Sequence, residues 1–222
     1  MPKRIVFIHT VGTLVSLFRD LAKEMMPAVE IAHMVDETLT KQVLAVGHVT
    51  PSMRHQLLRL VSRAEEWGAD LVVLTCSSVS PAVDQVQPMV RVPVLKIDEA
   101  MADRAVQLGN TIGVIATAYT TVEPTRRLVE ARAGQVNKPI AVHTCLCEGA
   151  YEALVANDME RHDAIVKQYL IELMKSVDVI VLAKASMARV AEQLPLSQQR
   201  VPILSSPRLG IARASEILER LS

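Results

Sequence analysis

A cysteine that directly follows a buried strand is the residue best placed for chemistry. Cys76 stands in the segment Thr75-Cys76-Ser77-Ser78, after four apolar residues that predict a strand. Ser80-Pro81 predicts a helix that begins just beyond it, with serine as its cap. A thiolate is favoured near a helix N-terminus, where it serves as a nucleophile or a proton acceptor. An inert packing cysteine is the alternative interpretation.

Lys184 is the second candidate, because it also follows an apolar strand pattern. It comes after the segment from Val179 to Leu182, with one alanine between, and precedes Ala185-Ser186. A half-buried lysine can act as a base, whereas a charged one holds a substrate carboxylate. A solvated lysine at the end of a strand is the third interpretation.

The other two cysteines, Cys145 and Cys147, lie two residues apart and share one face of a continuing strand. With only His143 beside them, they make too weak a pattern for a metal site, so no metal is predicted. Packing is the expected role of Cys145, and Cys147 is predicted to reach the ligand beside Glu148. An odd number of cysteines fits a reducing, cytoplasmic location.

Short β-branched runs alternate with longer helical patterns along the chain. Helices are predicted at 51–68, 98–109 and 160–175 from the spacing of their apolar residues. Thr50-Pro51 marks a helix start, and Gly68 and Gly109 mark helix ends. Most strand segments are apolar on both faces, which is typical of parallel strands covered by helices. The predicted strands are 5–8, 29–32, 71–74, 92–95, 112–115, 140–142, 179–182 and 201–204.

An internal repeat predicts two similar lobes. The segment 5–10 resembles 112–117 at an offset of 107 residues, and 70–78 resembles 178–186 at an offset of 108. His33 and His143 lie between these pairs at an offset of 110. We therefore expect an α/β fold of two lobes, each a small, mainly parallel sheet flanked by helices. The lobes are expected to be related by a pseudo-twofold, with a cleft between them.

Ligands of open parallel sheets gather beyond the carboxyl ends of the strands. The corresponding loops here are rich in hydroxyls and small residues, which suits a small anionic ligand and above all a carboxylate. The backbone amides near Ser77, Ser78, Thr120 and Thr121 are the expected donors to a developing oxyanion. The predicted substrate-binding residues are Thr10, Asp36, Thr75, Ser77, Ser78, Thr117, Thr120, Thr121, Cys147, Ala185 and Ser186. The scattered histidines, such as His9 and His33, are expected at the surface or behind the site.

Composition excludes several classes of protein. Half of the 222 residues are hydrophobic and 22% are charged, so a substantial core is expected. A net charge of zero and only 3% aromatic residues argue against a nucleic-acid partner. No apolar run approaches the roughly 18 residues that a membrane span needs. No glycine-rich phosphate loop is present, so cofactor-free chemistry is expected.

The strand ends at Thr75-Cys76-Ser77-Ser78 and 182–186, with the stretch 116–120, resemble the aspartate/glutamate/hydantoin racemase superfamily over essentially the whole chain. The resemblance implies two α/β lobes, with residues 1–97 and 205–222 in the first and 98–204 in the second. It also implies a cofactor-independent enzyme that is commonly a homodimer. Racemases of this group use one cysteine from each lobe. Cys76 matches the first, but Lys184 stands where the second is expected.

Three enzymatic interpretations follow, and one that is not enzymatic. Cys76 and Lys184 can act as an unlike acid/base pair in an isomerase or epimerase. Cys76 alone can protonate one face of an intermediate, as in a decarboxylase or lyase, or can attack a substrate covalently, as in a cis-trans isomerase. A small-acid binding protein without catalysis is the fourth interpretation.

Overall fold

A computed structural model of the protein describes residues 2–221. Within them the chain forms eight strands and ten α-helices. The strands are β1 (Arg4–His9), β2 (Glu30–Val35), β3 (Leu71–Leu74), β4 (Val94–Lys96), β5 (Thr111–Ala116), β6 (Ala141–Leu146), β7 (Val179–Leu182) and β8 (Ile203–Leu204). The helices are α1 (Leu14–Met25), α2 (Glu37–Val46), α3 (Pro51–Glu66), α4 (Val83–Val86), α5 (Glu99–Leu108), α6 (Tyr119–Gln135), α7 (Ala150–Val155), α8 (Met159–Leu173), α9 (Ala188–Glu192) and α10 (Ser206–Arg220).

Two four-stranded sheets organise the chain, and every strand pair in them is parallel. Their orders are β2-β1-β3-β4 and β6-β5-β7-β8, so the second sheet repeats the topology of the first. The predicted fold class, two small parallel sheets flanked by helices, is confirmed. The chain divides into unit 1, residues 1–98 with 207–222, and unit 2, residues 99–206.

Both faces of the first sheet are covered by helices, because its strands are apolar at successive positions. One face packs with residues of α2 and α3, and the other packs with residues of α1 and α10. The first face buries Val6, Ile8, Val72 and Leu74, and the second buries Ile5, Phe7, Leu71 and Val73. The last helix therefore helps to build the core of unit 1.

The second sheet has its own core, formed largely with α8. Ile115, Ile180 and Leu182 contribute from the strands, and Val166 and Leu170 contribute from the helix. Cys147 belongs to this cluster and is 1% exposed. Of the helices formed within residues 2–221, none has the length and apolarity needed to cross a membrane.

The helix predictions are confirmed, with shorter bounds at their ends. The hydroxyl of Thr50 accepts a hydrogen bond from the amide of Met53 at 3.4 Å and caps α3. Gly68 ends that helix with a φ of +88°, which favours glycine. Strands β4 and β8 begin after Pro93 and Pro202, because proline has no N–H to donate to a ladder.

The predicted correspondence of His33 with His143 is wrong by one residue. His33 pairs with Phe7, whose repeat equivalent at the offset of 107 is Val114, and Val114 pairs with Thr144. Since a shift of one residue reverses the face of a strand, the two histidines point to opposite faces of their sheets. The repeat lies in the backbone pairing and not in these two side chains.

Candidate active site

Cys76 lies at the carboxyl edge of the first sheet, where β3 passes into a turn. The amide of Thr75 donates to the carbonyl of Ile8 at 3.0 Å, which holds the strand end against β1. The carbonyl of Cys76 accepts from the amides of Val79 and Ser80 at 3.2 and 3.0 Å. Cys76 is half-buried and packs against the core of unit 1. These bonds fix the backbone that carries the thiol.

A row of hydroxyls extends from the thiol along this edge of the sheet. The hydroxyl of Thr40 donates to that of Thr10 at 2.6 Å, and Thr40 Oγ1 lies 4.0 Å from Cys76 Sγ. Thr10 is 2% exposed, so its hydroxyl is held inside the molecule. Thr40 belongs to α2 and was not predicted, because a threonine inside a helix pattern gives no sign of which strand end it meets.

The prediction of a helix cap at Ser80 is wrong. Residues Ser80–Ala82 form a 3₁₀ turn that leads into α4, a helix of four residues. The hydroxyl of Ser80 donates to the carbonyl of Ser77 at 3.0 Å instead of capping an α-helix. A helix this short adds little dipole stabilisation to a thiolate, so the local reason given for a reactive Cys76 is removed.

Behind Thr75, two histidines form a hydrogen-bonded chain that the sequence did not predict. The Thr75 hydroxyl donates to the carbonyl of Ile8 at 3.1 Å, and it therefore accepts from His9 Nδ1 at 3.0 Å. His9 Nε2 is then left to accept from His33 Nδ1 at 2.9 Å. This arrangement requires His9 to be neutral with its proton on Nδ1, and His33 to carry a proton on its own Nδ1.

Electrostatics agree with that assignment. Burial, and to a smaller extent the nearby His33, lowers the pKa of His9 to about 4. Burial also lowers the pKa of His33, helped by the charge of Arg19. His9 is completely buried and lies behind Thr75, which is one of the two positions expected for the scattered histidines.

Asp98 is a further titratable group at this edge, and it too was not predicted. It follows β4 and is 1% exposed. Burial raises its pKa, while the side chain of Ser77, its own backbone and the charge of Lys96 act in the opposite direction. Among the described residues, neither carboxyl oxygen has a hydrogen-bond partner of good geometry. The sequence signal was an acidic residue directly after an apolar strand.

Asp36, predicted to contact substrate, caps α2. Its Oδ1 accepts from the amide of Thr38 at 3.0 Å and from the Thr38 hydroxyl at 2.5 Å. Its own amide donates to the carbonyl of His9 at 2.9 Å. These bonds place Asp36 at the same edge of the sheet as Thr10, but they engage the oxygen Oδ1 in local structure.

Lys184 occupies the corresponding edge of the second sheet. The amide of Ala183 donates to the carbonyl of Ile115 at 2.9 Å, and the carbonyl of Lys184 accepts from Met187 at 3.1 Å. Its Nζ lies 5.5 Å from the centre of the Tyr151 ring, a cation–π distance. The 3₁₀ turn Ala185–Met187 follows, as a 3₁₀ turn follows Cys76.

Buried hydroxyls surround the strand ends of unit 2. Thr117, Thr120 and Thr121 are at most 5% exposed. Thr117 Oγ1 and Ser186 Oγ are buried without a hydrogen-bond partner within residues 2–221. The amide of Thr121 donates to the carbonyl of Ala118 at 3.1 Å, so this amide is engaged within the first turn of α6.

The predicted site residues thus fall into two groups, one in each unit. Unit 1 brings together Thr10, Thr75, Cys76, Ser77 and Ser78 with the cap residue Asp36. Unit 2 brings together Thr117, Thr120, Thr121, Lys184, Ala185 and Ser186, while Cys147 lies in its core. Among the described residues, no group of three or more His, Cys, Asp or Glu side chains is arranged to hold a metal ion.

Comparison with known proteins gives one family match, to a model described as Asp/Glu/Hydantoin racemase, over residues 10–214. The chain is similar in structure to a glutamate racemase isoform from Bacillus anthracis, with a TM-score of 0.76 and 18% identity over 99% of this chain and 83% of that one. It is also similar to allantoin racemase from Klebsiella pneumoniae, with a TM-score of 0.67 and 18% identity over 98% and 88%. Picrophilus torridus aspartate racemase matches with a TM-score of 0.71 and 13% identity over 97% and 94%. These structural likenesses establish the fold.

Proposed function

Since the chain belongs to the Asp/Glu/hydantoin racemase family, we propose that it is a cofactor-independent isomerase acting on a small substrate that carries a carboxylate. The expectation of an enzyme of this family rests on a match to nearly the whole chain. The finer proposal assigns proton transfer at the substrate α-carbon to Cys76 and Lys184.

The observation that carries this proposal is the equivalence of Cys76 and Lys184 in backbone structure. Each residue stands two positions after the last residue of a strand with the same place in its sheet order. Each follows a residue whose amide bonds back to the first strand of its sheet, and each accepts a hydrogen bond from the residue three positions on. Each is then followed by a 3₁₀ turn.

The chemistry of the proposed pair is a transfer of one proton at each face of the α-carbon. Cys76, as the thiolate, takes the α-proton, and the electron pair of the broken C–H bond passes into the substrate carboxylate as an enediolate. Lys184, as the ammonium, returns a proton to the opposite face. The reverse direction exchanges the two roles. The proposal requires the substrate to contact both side chains.

Neighbouring groups are proposed to bind the carboxylate and to stabilise the enediolate. The amides near Ser77 and Ser78 remain the proposed donors of unit 1. The hydroxyls of Thr117 and Ser186, which are buried and lack partners among the described residues, are the proposed donors of unit 2. Thr10 and Thr75 are proposed to support the thiol side, because both already hold hydrogen bonds inside the sheet edge.

A second function is favoured by the contact between Lys184 and Tyr151. An aromatic ring 5.5 Å from Nζ stabilises the ammonium over the neutral amine. A lysine that stays charged anchors a carboxylate and leaves Cys76 as the single proton donor. That arrangement suits a decarboxylase, in which carbon dioxide leaves from one face and one proton is delivered.

The decisive experiment uses deuterated water and a panel of amino acids, hydantoins, allantoin and substituted malonates. Deuterium at the α-carbon of a recovered substrate supports isomerisation, and deuterium only in a product shortened by carbon dioxide supports decarboxylation. Binding of one acid with no exchange and no product would overturn both and leave a small-acid binding protein.

Substitutions then separate the roles of the two residues. We expect Cys76→Ser to lower kcat by about 10²–10⁴-fold in either reaction. Lys184→Arg keeps the positive charge but gives no base, so it abolishes isomerisation and spares an anchoring role. Lys184→Gln removes both. The exposed Lys175→Gln serves as the matched control, and unchanged turnover in Cys76→Ser would exclude the proposed chemistry.

We also propose an oligomeric state and a location for the protein. A homodimer, implied by the family resemblance, is tested by sedimentation equilibrium of the full chain. A reducing, cytoplasmic location is supported by three cysteines that all remain free thiols.

A further inference from the structure

Thr40 places a hydroxyl beside the thiol of Cys76, and the reaction proposed above gives it no role. Its Oγ1 lies 4.0 Å from Cys76 Sγ and 2.6 Å from the hydroxyl oxygen of Thr10. The three side chains come from α2, from the turn after β3 and from the residue after β1, all within unit 1. Thr40 therefore stands between the thiol and a second hydroxyl.

Helix α2 holds Thr40 at this position. The start of the helix is tied to β1, because the amide of Asp36 donates to the carbonyl of His9 at 2.9 Å. Leu39 and Val43 lie on either side of Thr40 along the helix and are at most 1% exposed. Both belong to the core cluster against which Cys76 packs. The separation of the Thr40 hydroxyl from the thiol is therefore set by the packing of α2.

The hydrogen bonds of Thr40 have a direction. A hydroxyl has one hydrogen to donate and two lone pairs with which to accept. Since the hydrogen of Thr40 is directed to Thr10, its oxygen faces the sulfur as an acceptor, which suits a protonated thiol. A thiolate has no hydrogen and needs a donor instead. Rotation about the Cβ–Oγ1 bond brings the Thr40 hydrogen to the sulfur, and Thr10 then donates its own hydrogen to Thr40.

We propose that Thr40 is a positioning residue that serves both protonation states of Cys76. It accepts from the thiol when Cys76 is the acid, and it donates to the thiolate when Cys76 is the base. Thr10, which is 2% exposed, is the partner that receives or supplies the second hydrogen bond. Neither threonine loses its proton, so the step is a rotation and not a proton transfer. The inference rests on the proposed function only for the two roles of Cys76.

Other titratable or charged groups at this edge of the sheet must be separated from Thr40. They are His9 at the end of β1, His33 in β2, Asp36 and Glu37 at the start of α2, Lys96 in β4 and Asp98 after it. The pKa of His9 is about 4 and that of His33 is also lowered, so both histidines are neutral where thiols ionise. Lys96 is paired with Asp84 at 2.5 Å. Burial raises the pKa of Asp98, so each measurement is repeated in an Asp98→Asn background.

The test measures how fast iodoacetamide alkylates Cys76 across the pH range in which thiols ionise, by mass spectrometry of the Cys76 peptide from the full-length protein. Only the thiolate reacts, so the midpoint of the profile reports the stability of the charged form. Thr40→Val removes the donor, and its midpoint should rise by about one pH unit. Thr40→Ser restores the hydroxyl and should keep the wild-type midpoint.

Thr38→Val is the matched control. Thr38 is exposed on the same helix, and its hydroxyl bonds to Asp36 and not to the thiol. This variant loses the same chemical group from α2, and its midpoint should equal that of the wild type. A midpoint that rises as much in Thr38→Val as in Thr40→Val would overturn the proposal, because the shift would then come from α2 as a whole.

Thr10→Val tests the partner and leaves α2 unaltered, so it decides the question if Thr40→Val does not fold. It should raise the midpoint by a smaller amount than the loss of Thr40, and no rise would overturn the proposal. An unchanged midpoint in a folded Thr40→Val, or a serine variant that behaves as the valine variant, would overturn it too. A fall in the midpoint of Thr40→Val would have the same consequence, since the hydroxyl would then stabilise only the thiol.

Alkylation of Cys76 needs no substrate, so this result does not depend on whether the protein is an isomerase. Deuterium exchange tests the proposed function separately. A protein that fails to exchange deuterium but shows the expected shifts keeps the role of Thr40 and loses the proposed reaction.

Discussion

His9 and His33 share a hydrogen bond of 2.9 Å between Nε2 and Nδ1, in which a neutral His9 is the acceptor. The other nitrogen of His9 donates to the hydroxyl of Thr75, the residue before Cys76. A proton added to His9 Nε2 would face the Nδ1–H of His33 unless His33 moved its proton to Nε2, which is buried without a partner among the described residues. The end of β3 is therefore coupled to the protonation of His9 on β1 and, through it, to His33 on β2.

The first prediction concerns stability against pH. His9 has a folded pKa of about 4, against roughly 6.5 unfolded, so the unfolded chain takes up its proton first as pH falls. Stability is complete above pH 6.5 and is lost as pH falls from there towards 4. Urea unfolding at pH 7 and pH 5 should show wild type losing about 2 kcal/mol more than a His9→Gln/His33→Gln variant. The exposed His48→Gln should behave as wild type. Equal losses of stability in all three proteins would contradict the hydrogen-bonded arrangement of His9 and His33.

The second prediction isolates the hydroxyl of Thr75. Thr75→Val keeps the shape of the side chain but leaves the buried Nδ1–H of His9 without an acceptor, which costs about 1–3 kcal/mol. Thr75→Ser retains the acceptor and is the matched control. The free energy of unfolding at pH 7 should fall in the valine variant and change little in the serine variant. Two variants of equal stability would show that the bond contributes nothing.

Local pattern was enough to predict the sheets, since apolar four-residue runs such as Leu71–Leu74 and Val179–Leu182 define central strands. The edge strands β2 and β6 were predicted too short, because one of their faces is only partly covered and carries polar residues such as His33 and Thr144. Their extent is set by pairing with β1 and β5, which no local pattern records.

The candidate site was predictable only where a residue follows a strand. Cys76 and Lys184 met that condition, and so did their hydroxyl-bearing neighbours. Thr40 reaches the same edge of the first sheet through the docking of α2, which depends on the whole unit. Asp98 also follows a strand, but an acidic residue in that position is equally typical of a turn or a helix cap. The cap at Ser80 failed because a serine–proline pair also fits a 3₁₀ turn.

The third prediction concerns Asp98. Burial raises its pKa above the unfolded value of 3.8, so the folded state holds this proton more tightly and wild type loses stability as pH rises through that value. Asp98→Asn removes the loss, and its stability relative to wild type should grow as pH rises from 4 to 7. The exposed Asp20→Asn is the control. A relative stability that is flat with pH would show that folding does not change the protonation of Asp98 over this range.

The fourth prediction compares two glycines in helices. A Cβ at Gly210 in α10 would lie 2.4 Å from Ile97 Cδ1 and 2.5 Å from the Ile97 carbonyl oxygen. The side chain can move but the carbonyl cannot, so Gly210→Ala should push α10 from the first sheet and cost about 1–3 kcal/mol or more. A Cβ at Gly134 in α6 meets nothing within 4 Å, and Gly134→Ala should gain up to about 1 kcal/mol from helix propensity alone. Urea unfolding of the two variants should move in opposite directions. Stabilisation by Gly210→Ala would mean that α10 does not pack this closely against Ile97 in the core of unit 1.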